Sequence, residues 1–248
     1  MQDPFVSHIV WDWNGTIFND SRALIDATLD AFDACAMPPI TIADYQREHT
    51  QPIPEFYNRL AGRTLTDDEQ DRLNQSFMTS YLRYREKARL TDDAVAAMSR
   101  WRAADRRQSL LSMHPHERLM PLVERAGITE FFTRIDGTVG ELPYKAPHLA
   151  EHLERQGIAP EHAVVVGDSV DDAQAARECG VRCLLYHSGE DALHAREHFA
   201  ELRVPVVESL TGAVSQLLDP DSGRLGRPLS HAAEAGVVGV VPPSEERA

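Results

Sequence analysis

The sequence predicts an α/β fold: a parallel sheet with helices on both faces, interrupted near its start by one helical insertion. Three observations carry this. Short β-branched apolar runs alternate with helical patterns from about residue 92 onward, the signature of a parallel sheet covered on both faces. Three of the strand candidates run into polar groups, at Asp12, Ser112 and Asp168. Between residues 20 and 89 nothing reads as a confident strand, while apolar positions recur at helical spacing.

Each element has a local reason. His8-Ile9-Val10-Trp11 is a buried strand that opens into the glycine-containing loop Asp12-Trp13-Asn14-Gly15-Thr16. Ser21 starts a helix carrying Ala23, Leu24, Ala27, Leu29 and Phe32, which Pro38-Pro39 stops. Helices follow near 42–49, 53–62 and 66–88, the last with an acidic first turn, Asp67-Asp68-Glu69. After a helix near 92–104 come a strand at Ser109–Ser112, a helix opened by Pro115, a strand near 133–136 and a helix from Pro147 to Gln156. Val164-Val165-Val166 is the clearest buried strand and ends at Gly167-Asp168. The helix after it, with Ala173, Ala175 and Ala176, stops at Gly180. Strands near 182–186 and 204–207 complete the alternation. The domain reading is a core of residues 1–18 and 92–220, an insert of 19–91, and an irregular tail of 221–248 rich in Gly, Pro, Ser and charge.

The 248 residues carry a net charge of −14, which argues against nucleic acid and anionic membrane as partners. No stretch approaches a membrane span, and the start, MQDPFVSHIVW, lacks a signal peptide's basic and apolar regions. Three cysteines without a C-x-x-C pair suit a reducing compartment. The expectation is a cytoplasmic monomer or homodimer.

In doubly wound sheets ligands sit beyond the carboxyl ends of the strands. Asp12 and Asp168, brought together there, repel unless a cation lies between them, and hard oxygen donors favour Mg²⁺. The Ser112 hydroxyl and Lys145 ammonium suit the oxygens of a phosphoryl group. Asp172, one helical turn after Asp168, is placed to orient the lysine or the metal's waters.

These residues carry a resemblance. Asp12-Trp13-Asn14-Gly15-Thr16, Ser112, Lys145 and Gly167-Asp168-Ser169-Val170-Asp171-Asp172 follow, in order, the four motifs of the haloacid dehalogenase superfamily. The likeness extends from residue 7 to about 218 and is to phosphoglycolate-phosphatase-like members. It implies a Rossmann-like core with a C1-type helical cap in residues 19–91. It also implies an aspartyl-phosphate formed at Asp12 and Mg²⁺ held by Asp12, the Asn14 carbonyl and Asp168. Catalysis would involve Asp12, Asn14, Ser112, Lys145 and Asp172, and Gly15, Thr16, Ser112, Met113 and Lys145 would bind a small phosphorylated metabolite.

One position departs from the family pattern. Asn14 stands where these phosphatases carry a second aspartate, which protonates the leaving group and then activates water. An amide donates a hydrogen bond but exchanges no proton, a loss typically of ~10²–10⁴-fold in rate. Three outcomes follow: a substrate with a good leaving group or another proton donor, transfer to an acceptor other than water, or a weakly catalytic phosphometabolite-binding protein. His49, His114 and His116 are the alternative proton donors, though a solvated or capping position suits each of them better. Trp11 and Trp13 divide between core and pocket on this reading, and His148 with His152 forms a surface pair. A receiver domain fits poorly, because it has no helical insert. Haloacid dehalogenation needs no metal, yet the metal-holding acids are retained.

Overall fold

The computed structural model describes residues 6–140 and 142–219; the predicted tail lies outside them. The first strand, β1 (His8–Trp11), leads through the motif loop to β2 (Phe18–Asn19). Four helices follow: α1 (Ser21–Ala34), α2 (Ile42–Glu48), α3 (Ile53–Ala61) and α4 (Asp67–Arg85). The chain returns through β3 (Arg89–Leu90) and continues with α5 (Ala94–Ala103), β4 (Arg107–Pro115), α6 (His116–Ala126), β5 (Ile135–Thr138) and α7 (Lys145–Gln156). The described residues finish with β6 (Ala163–Gly167), α8 (Val170–Glu178), β7 (Arg182–Tyr186), α9 (Arg196–Ala200), β8 (Val206–Val207) and α10 (Leu210–Leu218).

Six strands form one parallel sheet in the order β5-β4-β1-β6-β7-β8. The predicted α/β, Rossmann-like core is therefore present. Side chains alternate across a strand, and the burial follows: Ile9, Trp11, Val164 and Val166 join one core cluster, while Val10 and Val165 join the other. Helices α5, α6 and α10 cover the first face, and α7 and α8 the second.

Strand β1 is central because it pairs with β4 on one side and β6 on the other. Connections thus run outward in both directions from β1, which opens a crevice at its carboxyl end. Trp11 lies opposite Leu110 and Val166. Just beyond, one residue past Trp11 and two past Leu110 and Val166, Asp12, Ser112 and Asp168 line one cavity.

Several expectations need correction. Strand β4 continues past Ser112 to Pro115, so Ser112 lies inside it, where the register with β5 shifts between Leu111 and Pro115. Helix α7 starts at Lys145, before Pro147, because a proline in the first turn forfeits no intrahelical bond. Trp11 and Trp13 are both fully buried in the same core cluster, and neither lines the pocket. Trp13 stacks on Phe18 at 5.0 Å between ring centroids. His152 is not at the surface: it bonds Ser109 Oγ through Nε2 and Asp136 through Nδ1, each at 2.7 Å, beside a 2.7 Å bond from His8 to the same Ser109. This Ser-His-Asp chain lies away from the cavity over Asp12 and ties α7 to the sheet.

Helices α1–α4 have their own apolar centre, including Ile25, Phe32, Tyr45, Phe56, Leu60 and Leu73. Capping boxes at Thr41/Asp44 and Thr66/Glu69 start α2 and α4, satisfying helix-end donors. The chain leaves and re-enters the core through a ribbon the sequence reading did not anticipate, Phe18 pairing with Leu90 and Asn19 with Arg89. Contacts to the core close the far side of the insert. Leu193, from the loop after β7, joins its apolar cluster, and Gln46 Nε2 donates to the carbonyls of Glu190 at 3.0 Å and Ala192 at 2.8 Å.

Candidate active site

Asp12 follows β1 directly, its amide donating to the Val166 carbonyl at 2.9 Å. Lys145 Nζ, on the first residue of α7, donates to Asp12 Oδ1 and to Asp172 Oδ1. The second oxygen of Asp172 accepts from the Ser169 amide at 3.0 Å and its hydroxyl at 2.7 Å, within the capping box that starts α8. A helix cap thus fixes the carboxylate that in turn fixes the lysine. Gly167 makes room for this, since a Cβ there would lie 2.2 Å from the Asp172 carboxyl carbon.

Asp168 is held from the motif loop. Thr16 Oγ1 donates to Asp168 Oδ1 at 3.3 Å. Gly15 has φ +72°, and a Cβ on it would come within 2.0 Å of Asp168 Oδ2, so both the conformation and the approach require glycine. Gly15 and Thr16, expected among the substrate-binding residues, do not line the cavity; they position Asp168 instead. Ser112 and Met113 do line it, and Ser112 Oγ accepts from the His114 amide at 3.0 Å, leaving its proton free to donate.

The charges do not balance. Carboxylate oxygens of Asp12, Asp168 and Asp172 lie within 4.8 Å of one another, all buried. Burial, with the charge of Asp172 adding to it, pushes Asp12 up to about 7 against the pull of Lys145. Burial and the neighbouring Asp12 raise Asp168 well above the carboxylate range. Lys145 is pushed down by burial, but Asp12 and Asp172 outweigh this and leave it firmly protonated. Three buried acids facing one ammonium match the donor chemistry of a divalent cation with oxygen ligands. Asp12 and Asp168 face it from adjacent strands, whereas Asp172 is committed to Lys145 and Ser169.

Residues outside the motifs complete the site. Asp20, fully buried, accepts from Asn14 Nδ2 at 2.6 Å, from the Gly15 amide at 3.0 Å and from the Tyr81 hydroxyl of α4 at 2.6 Å. Burial raises its pKa despite these bonds. His194, after β7, bonds His49 at the end of α2 across 3.1 Å. His49 and His114 line the cavity, but His116 accepts from the Gly137 amide and does not. Position beside the first motif could have pointed to Asp20, but no local pattern marks Tyr81 or His194.

Above these groups opens a cavity of about 500 Å³, with the acids and Lys145 at its floor and α1–α4 forming much of its wall. Fold and site together define a Rossmann-like α/β scaffold whose acids stand at the strand ends beneath a helical insert. Residues 6–180 match the family model of the haloacid dehalogenase-like hydrolases, and the chain belongs to that family. A phosphoglycolate phosphatase of Mesorhizobium japonicum is 25% identical over 220 residues, covering 83% of this chain and 96% of its own. Among solved structures, a haloacid dehalogenase-like family protein of Streptococcus pneumoniae superposes with a TM-score of 0.72 at 18% identity, over 85% of this chain and 97% of that one. A family hydrolase of Deinococcus radiodurans, solved with bound phosphate and sodium, gives 0.67 at 18% identity, over 89% and 98%. The sequence expectation of a phosphatase-type member of this family is borne out at that level.

Proposed function

We propose that this enzyme is a Mg²⁺-dependent phosphohydrolase that acts on a small phosphomonoester through an aspartyl-phosphate at Asp12. The observation that carries the reading is Asp12 gripped by Lys145, with Asp168 beside it, on the floor of a cavity. Asp12, Asp168 and the Asn14 carbonyl are the groups that would hold Mg²⁺, which when bound supplies charge neutralisation and fixes the phosphoryl oxygens. Asp12 presents its free oxygen to phosphorus. Lys145 and Ser112 grip the phosphoryl oxygens as charge develops on them. Asp172 holds Lys145 in place, Thr16 holds Asp168, and Gly15 leaves room for its carboxylate. Residues 19–91 act as the cap over this site, carried by the core of 1–18 and 92–220.

A small solute suits the remaining features. The net charge of −14 disfavours nucleic acid, and no described helix is long and apolar enough to cross a membrane. A cytoplasmic monomer or homodimer remains the expectation. A second reading, phosphotransfer or binding with little turnover, rests on Asn14, whose amide is tied to Asp20 and exchanges no proton.

Phosphate release from a panel of phosphomonoesters, with Mg²⁺ and with EDTA, tests the reading. Turnover is expected only with Mg²⁺, and Asp12→Asn is expected to lose on the order of 10⁴-fold or more. Metal-independent release, or an unaffected variant, overturns the mechanism.

A further inference from the structure

We infer that the phosphate ester taken by this site has an aromatic leaving group, an aryl phosphate, and that phosphoglycolate is a poor substrate. The inference rests on the phosphohydrolase reading above and names the substrate class of that site.

The first ground is the wall opposite the acids. The cavity of about 500 Å³ is bounded by Leu24, Phe56, Phe77 and Met78 of the insert and by Leu193 of the core. A volume in the range of ~300–1,000 Å³, lined by apolar and aromatic side chains with a few neutral polar groups among them, here Thr28, Thr50, Gln51 and Asn74, suits a sizeable organic ligand. A small hydroxy acid would leave most of that wall facing water.

The second ground is charge. Phosphoglycolate carries a carboxylate on its leaving group, which needs a cation of its own once out of water. No lysine or arginine of α1–α4 lines the cavity. Of the lysines and arginines that do, Lys145 is committed to Asp12 and Asp172. Arg118, on α6, is exposed and shared with an outer cleft beside Leu82 and Glu117. The imidazoles do not substitute: burial holds His49 and His114 down at about 4, so both are neutral near pH 7.

The third ground is the departing oxygen. Asn14 has no proton to give, and its Nδ2 is already donated to Asp20 at 2.6 Å. With no acid at position 14, the leaving oxygen departs with the electron pair of the broken P–O bond and no proton. A phenolic oxygen, with a conjugate acid of pKa ~10, tolerates this far better than an aliphatic one, whose conjugate acid lies near that of water at ~15.7. The balance closes without a protein acid. Asp12 forms the new bond to phosphorus as the aryloxide leaves. Water then attacks the same phosphorus, restoring the Asp12 carboxylate and placing both of its protons on the released phosphate. The aryloxide later takes one of these protons in solvent.

The test compares kcat/KM, with Mg²⁺, for a series of substituted phenyl phosphates, 2-naphthyl phosphate, cyclohexyl phosphate and phosphoglycolate. Calorimetry compares binding of the non-hydrolysable 2-naphthylmethylphosphonate with phosphonoacetate. The expected result is a steep fall of rate with leaving-group pKa and a preference of ~10² or more for 2-naphthyl phosphate over cyclohexyl phosphate and phosphoglycolate. The naphthyl phosphonate should bind at least ~10-fold more tightly, and Asn14→Asp should flatten the rate dependence by raising the cyclohexyl ester most. A flat dependence in the unaltered enzyme, as a proton from Asp171 or His114 at the cavity wall would produce, overturns the inference. So do equal or faster turnover of phosphoglycolate and tighter binding of phosphonoacetate; each of these leaves the phosphohydrolase reading standing. No hydrolysis of any ester removes that reading, and the inference with it.

Discussion

The two ends of the cavity are built on opposite principles. At the floor, Asp12, Lys145, Asp168 and Asp172 are buried charges, each fixed by a strand end, a helix start or a capping bond. At the far wall, α1–α4 present mostly apolar side chains with neutral polar groups among them, backed by their own apolar cluster, joined to the sheet through a short ribbon and a few contacts around Leu193 and His194. The contrast teaches where precision is needed. Stabilising a transition state requires groups held without reorganisation, whereas recognition of a leaving group by apolar contact tolerates repacking.

The strongest way to break this comparison is at Lys145. Lys145→Met should cost roughly 10²–10³ in kcat, and should destabilise the fold by about 3–5 kcal/mol by leaving buried carboxylates unpaired. Kinetics and denaturant melts check both, and a variant with normal melting and normal kcat would show that the floor is not the rigid centre claimed for it.

Next is Tyr81, where the insert touches the floor. Tyr81→Phe removes the 2.6 Å bond to Asp20 and leaves a buried acceptor short of a donor, worth about 1–3 kcal/mol. Turnover should fall with it, because Asp20 loses part of what holds Asn14. A stability loss with unchanged kcat would mean that the two ends are mechanically separate.

Near pH 7 the smallest effect is at the seam, where a difference develops only on acidification. Burial, then the charge of His198, lowers His49 from 6.5 to about 4. Between those values the unfolded chain takes up a proton that the folded chain refuses. Stability is therefore complete above the unfolded pKa and falls as pH drops through the window. His49→Gln should remove up to about 1.4 kcal/mol per pH unit of that slope, read from melting temperature against pH.

What was legible in the sequence follows the same division. Asp12, Asp168 and Asp172 were readable because strand, loop glycine and helix start adjoin them in the chain, and β1 and β6 because burial on both faces leaves unbroken apolar runs. The ribbon of β2 and β3 was not, since two residues per strand carry no periodicity. Spacing along a helix cannot say which face meets the sheet, so it marks His152 as a surface residue although the side chain is buried. Asp20 and His194 were missed for a related reason: their partners Tyr81 and His49 lie 61 and 145 positions away. Thr16 and Gly15 were placed among the substrate-binding residues because adjacency to a nucleophile does not reveal that a side chain turns back to serve Asp168.

The pairing of Phe18 with Leu90 and of Asn19 with Arg89 has an evolutionary consequence. The excursion begins and ends at neighbouring points, so to the sheet the whole insert counts as one surface loop. The entropy of closing such a loop grows only logarithmically with its length. Helices can be gained, lost or exchanged there at little thermodynamic penalty to the strands that carry Asp12 and Asp168. A lineage can therefore keep one reaction while trading the compounds it is performed on.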